Sequence, residues 1–139
     1  MEINKSMKIP MTVSKESTKK ILDTIEEQFA AIGTCEMNDD QLTISKLKAG
    51  LANFYDSKST VSLKGNKDGQ SYNISVNGSA KPSIAYWISC AISVVCILFV
   101  SMLIGGIFLI ADGVIIFYNK KQIENKLDTT LNKIKSELE

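Results

Sequence analysis

Asp112 is the residue whose chemistry most needs an explanation. It is the one charged side chain in the 36 residues from Ser83 to Tyr118, 28 of which are apolar. A carboxyl group at membrane depth is costly and marks a proton site, a cation site or a polar contact between subunits. Asp112 is therefore the candidate ligand or ion site, and the plainer reading is a carboxyl at a turn or interface, or one held protonated. Small residues recur around it. Ala85, Ser89 and Ser93 repeat at four-residue spacing, and Gly106 and Gly113 are seven apart beside Gly105. Such residues let apolar helices approach closely, either as two arms of one chain or as copies in a homo-oligomer.

Aromatic and lysine side chains flank the apolar block. Lys81, Tyr86 and Trp87 stand at its entrance; Phe117, Tyr118, Lys120 and Lys121 stand at its exit. That mixture is the usual composition of a membrane–water interface. Leu51, Phe54 and Tyr55, with Lys46, Lys48 and Lys58, offer a further interfacial mixture, although the expectation is that they face a sheet core.

Composition excludes much other chemistry. There is no histidine, so no His-based triad, metal site or pH switch exists. All 16 basic residues are lysine, so no arginine clamp is available for phosphate or carboxylate. No nucleophile elbow, P-loop or dinucleotide fingerprint is present. Cys35, Cys90 and Cys96 form no CxxC pair and read as free apolar thiols. The acid pairs Glu26-Glu27 and Asp39-Asp40 read as solvated charge on a helix face and in a turn. No catalytic residue, cofactor or metal is expected, and the chain is read as a non-enzyme. Residues 1–82 carry 11 Lys against 10 acids, and residues 119–139 carry 5 against 4. Neither part has the one-signed field of a nucleic-acid binder.

The elements that must position these residues follow from periodicity. Met7, Ile9, Met11 and Val13 alternate with polar residues and predict a strand, with Pro10 confining it to a sheet edge. Ser14 is a helix N-cap, and Ile21, Leu22, Ile25, Phe29 and Ile32 predict a helix over 15–32, ended by a left-handed Gly33. Cys35 and Met37, then Leu42 and Ile44, predict two strands about a turn at 38–40. Val61 and Leu63 face Tyr72, Ile74 and Val76 across a glycine-bearing loop at 65–69, a hairpin signal. Asn77 to Pro82 reads as a linker. Ile123, Leu127, Leu131, Ile134 and Leu138 give an amphipathic helix over 119–139.

The expected fold class is α+β. A small, mainly antiparallel β-α-β-β-β-β sheet carries a C-terminal amphipathic helix and an inserted transmembrane helical hairpin. Residues 1–82 form a cytoplasmic domain. Residues 83–118 form the hairpin, turning near 102–106 at Gly105-Gly106. Residues 119–139 form the helix that packs on the soluble domain. The block is too long for one straight span of a ~30 Å hydrocarbon core and too short for two full ones. A single span from Ile84 to Ile110 is the rival.

Met1 to Thr12 lacks the apolar region of a cleavable signal peptide. The chain thus reads as a small bacterial integral membrane protein of the inner membrane, both termini cytoplasmic. Its role is read as non-enzymatic binding or assembly. Its partners are the lipid bilayer and either further copies of itself or another membrane protein. An oligomeric pore-forming or membrane-perturbing effector is the alternative from another class. Binding of a lipid or other apolar small molecule between sheet and helices is a third.

Overall fold

The structure is a computed structural model, and residues 1–39, 41–47 and 54–139 are described. Five strands and three helices follow in the order β1 (Glu2–Ile9), α1 (Lys15–Ala30), β2 (Thr34–Asn38), β3 (Gln41–Ser45), β4 (Tyr55–Gly65), β5 (Tyr72–Pro82), α2 (Ile84–Phe99) and α3 (Met102–Leu138). The fold is α+β. The strands form one antiparallel sheet in the order β1-β5-β4-β3-β2. The ends of the chain's sheet-forming stretch, β1 and β5, are therefore neighbours, and β1 and β2 are the edges.

The sheet alternates cleanly because only one of its faces is dry. Ile3, Ile9, Leu42, Ile44, Val61, Tyr72, Ile74 and Val76 point into the core. The other face is polar throughout its centre. Lys8, Asn73 and Lys64 lie in one cross-strand row, and Ser6, Ser75 and Ser62 lie in the next. The Ser62 and Ser75 hydroxyls are hydrogen-bonded at 2.7 Å.

Helix α1 and the C-terminal half of α3 cover the dry face. Ile21, Ile25 and Phe29 from α1 meet Ile123, Leu127, Leu131, Ile134 and Leu138 from α3 in the same core. Each such side chain contributes about 1.5–3 kcal/mol on burial. Polar links mark the seams. Gln28 Nε2 donates to both carboxylate oxygens of Glu137, at 3.0 and 3.1 Å. Lys5 pairs with Asp128 at 2.8 Å. Ser14 caps α1 by accepting from the Ser17 amide. The Tyr72 hydroxyl holds that cap, accepting from the Ser14 amide and donating to the Ser14 carbonyl, both at 3.0 Å.

Several boundaries differ from the sequence expectation. The first strand begins at Glu2 and stops at Ile9, one residue before Pro10, whose missing amide proton ends the ladder. Met11 and Val13 lie beyond it. Helix α1 ends at Ala30, and the amides of Ile32 and Gly33 both return to the Phe29 carbonyl at 3.1 Å. Gly33 is not in the left-handed region. It is small because a Cβ there would meet the Ser45 carbonyl at 3.0 Å.

Residues 77–82 are not a linker but the second half of β5, paired with β4 as far as Pro82 against Tyr55. The hairpin turn is not at Gly105-Gly106. It is at Val100-Ser101, whose amides both bond the Cys96 carbonyl, at 3.0 and 2.9 Å. This break also divides the rival single span Ile84–Ile110 between two helices. Finally, residues 119–139 are not a separate helix. They continue α3, which runs unbroken for 37 residues. Of the sequence readings at 40 and 48–53, Asp40, Lys48 and Leu51 lie outside the described residues.

Candidate functional site

α2 and the first half of α3 lie antiparallel along each other. The pairings run in opposite directions, Ser89 and Ser93 against Asp112, and Ile97 against Gly105. Gly105 is buried in this seam, and a Cβ there would strike the Ile97 side chain and come within 2.8 Å of the Ser93 carbonyl. Glycine is thus required for the helices to touch, not for a turn.

About two helical turns further along, Asp112 enters the seam with 6 % of its surface exposed. Ser89 Oγ donates to Asp112 Oδ1 at 2.7 Å. Ser93 Oγ lies 3.1 Å from Asp112 Oδ2 and 3.0 Å from the Ser89 carbonyl oxygen. Ser93 itself is 2 % exposed. A buried carboxyl requires such partners, because an unpaired one would lose its hydration without compensation.

The seven-residue spacing of Gly105, Asp112 and Asn119 returns to nearly one stripe of a helix. All three are buried, Asn119 completely. Asn119 and the Ser93 bond were missed from the sequence, and that spacing was the available signal.

The other candidate residues separate. Ala85 is exposed, so the expected Ala85–Ser89–Ser93 face divides, with only the serines turned to the seam. Gly106 and Gly113 face away from α2, and a Cβ at either meets nothing within 4 Å. Around them the surface is apolar. Among the described residues, the exposed large hydrophobic side chains run from Ile84 to Tyr118, with Val13 the one exception.

The interfacial candidates gather at the sheet end of the hairpin. Tyr86 stacks edge-on with Phe54 at 5.6 Å and with Trp87 at 5.3 Å. Phe117, Tyr118, Lys120 and Lys121 are exposed on α3 where it leaves the apolar stretch, and Lys81 is exposed at the end of β5. Phe54 joins this ring by fold rather than by sequence proximity. The Ser83 amide donates to its carbonyl at 2.8 Å, which fixes the exit of β5 into α2.

By length and composition, Met102–Leu138 is the helix that could cross a membrane; Ile84–Phe99 is apolar but shorter. Among the described residues, no group of three His, Cys, Asp or Glu gathers to hold a metal. A second feature is an open groove at the start of α1, where Val13, Leu22 and Met37 lie among Lys19, Asp23 and Asp39.

No family model matches the chain, and no curated protein sequence matches it. Among solved structures, it is similar to one described as "Crystal structure of conserved protein from Geobacillus kaustophilus". The identity is 13 %, the coverage is 90 % of this chain and 96 % of that one, and the TM-score is 0.34. A likeness this distant carries no functional argument.

Proposed function

We propose that the protein is a small membrane-anchored binding or assembly module. In this reading the α2–α3 hairpin is seated in the bilayer, and the sheet domain is held at its cytoplasmic surface. The observation that carries it is the sleeve of exposed apolar side chains from Ile84 to Tyr118, bordered by lysines, with Trp87 and Tyr118, at the sheet end. In water such a surface would drive association; in lipid it is solvated. The α2 arm is 16 residues, about 24 Å, and Met102 to Tyr118 is about 25 Å, against a core of ~30 Å. Both arms therefore need local thinning of the bilayer or lysine snorkelling, each a modest cost.

Two observations favour this reading over its rivals. Asp112 is turned into the seam of its own hairpin, so an aqueous path past it would require that seam to open. The space between sheet and helices is filled by Ile9, Ile25, Phe29, Ile74, Ile123 and Leu127, each without exposed surface, where an apolar ligand would have to sit. The test is topology in intact cells. Single cysteines at Asn66, Ser101 and Ser136 are introduced into a Cys-free background and exposed to an impermeant thiol reagent. Asn66 and Ser136 should both be shielded until the cells are opened. If they label from opposite sides, the hairpin reading fails.

A further inference from the structure

We propose that Asp112, Ser89 and Ser93 form a proton-binding site in the hairpin seam. The inference rests on the membrane seating argued above. Three oxygen pairs lie within hydrogen-bond reach: Ser89 Oγ with Asp112 Oδ1, Ser93 Oγ with Asp112 Oδ2, and Ser93 Oγ with the Ser89 carbonyl. The two hydroxyls supply one hydrogen each. Three links therefore share two hydrogens, and Ser93 cannot donate to both of its neighbours at full strength.

One added proton completes the ring. Placed on Asp112 Oδ2, it is donated to Ser93 Oγ. Ser93 then gives its own hydrogen to the Ser89 carbonyl, and Ser89 gives its hydrogen to Oδ1. Each of the three oxygen pairs then holds a hydrogen of its own, the arrangement a dry interior favours.

A metal cation suits the arrangement less well. Hard cations take six or more oxygens at about 2.0–2.6 Å. Here the carboxyl and hydroxyl oxygens already meet one another at 2.7 and 3.1 Å, with no gap between them. Nor does any lysine lie between Ser83 and Tyr118 to balance a buried carboxylate. The groups facing Asp112 are few. From α2, Tyr86 interacts with it electrostatically and is hydrogen-bonded to Cys90. From α3 itself, no other ionisable side chain lies between Met102 and Phe117. The site is a lone proton acceptor in an apolar seam, so losing the proton leaves an uncompensated charge that favours parting of the helices.

The test uses the full chain in phosphatidylcholine vesicles at neutral pH. Infrared difference spectra of wild type against Asp112→Asn, with aspartate carboxyls isotopically labelled, read the carboxylic-acid C=O band directly. The expected result is a carboxylic-acid band in wild type that is lost in Asp112→Asn and shifted in Ser93→Ala. A second readout is dicyclohexylcarbodiimide. The acid O–H adds across its C=N bond, and an acyl shift from oxygen to nitrogen leaves an N-acylurea on the Asp112 peptide. That adduct should form in the absence and presence of sodium. Carboxylate bands alone, or protection of Asp112 by sodium, would overturn the proposal. Quenching of Trp87, the only tryptophan, by brominated lipid reports the seating separately. If Trp87 is quenched and Asp112 is ionised, the proton site fails alone; if Trp87 is not quenched, the membrane reading fails with it.

Discussion

In β2 the Cys35 thiol is half-buried; burial first, then the nearby Glu26 carboxylate, push it up from its ordinary range. The direction fixes a sign. The folded chain holds this proton more tightly than the unfolded chain. The stability it contributes is present below the unfolded thiol's pKa and is lost as pH rises through the higher folded value. The thiolate is the reactive form, so the native thiol should be sluggish at mildly alkaline pH. With Cys90 and Cys96 replaced by alanine, iodoacetamide should alkylate native Cys35 more slowly than the urea-unfolded chain. The gap should narrow as pH rises and again in Glu26→Gln. Equal rates at all pH values would show that the burial is not felt by the thiol. Gly78 shows the same scale from the steric side. It lies opposite Ser59, and a Cβ would meet the Lys58 carbonyl and lie 2.5 Å from the Ser59 Cα. Its smallness serves a close approach of β5 to β4, which no local pattern announces.

At the scale of elements, Gly105 and Gly106 make a controlled pair. They are adjacent in sequence, yet one faces Ile97 across the seam and the other faces open space. Gly105→Leu should force α2 and α3 apart and cost about 1–3 kcal/mol, as overpacking does. Gly106→Leu should stay within about 0.5 kcal/mol. Denaturant titration of the detergent-solubilised protein measures both, and equal losses would remove the close-packed seam. The same pair explains what the sequence could show. Strands were legible where one face is dry, because alternation then has a cause. Asn4, Asn73 and Asn77, each followed two residues on by a serine, show that same alternation on the wet face of β1 and β5. Asp112 stood out because a charge in an apolar run has few explanations. The turn was not legible. Two glycines suggest one, but tertiary contact placed them inside a helix, and the chain instead reverses at Val100-Ser101. The second half of β5 is likewise not legible. Asn-Gly-Ser-Ala-Lys-Pro has loop composition, yet pairing with β4 on one side and, through Ser79, with β1 on the other holds it extended.

At the scale of the whole molecule, α3 belongs to two environments at once. Its first half lines the seam with Asp112; its second half supplies Ile123, Leu127, Leu131, Ile134 and Leu138 to the sheet core. At 1.5 Å per residue its 37 residues make a rod of about 55 Å. Removing the second half would strip the sheet of five buried side chains, each worth about 1.5–3 kcal/mol. That loss rivals the whole stability of a domain, about 5–15 kcal/mol. Residues 1–82 alone should therefore fail to fold, and the α+β unit is interrupted by the hairpin rather than followed by it. The decisive experiment is excision. The arms are antiparallel and in contact, so Ser83 and Asn119 emerge close together, within the ~8–10 Å of packed helix axes. Replacing residues 84–118 with a Gly/Ser linker of about six residues spans that gap, since such linkers reach roughly 5–6 Å times the square root of their length. The excised protein should be water-soluble and monomeric, with cooperative unfolding and a native circular-dichroism spectrum. The chain truncated after Tyr118 should show neither cooperative unfolding nor protease resistance. A soluble excision variant that melts without cooperativity would mean that the hairpin, and not the C-terminal half of α3 alone, holds the sheet domain together.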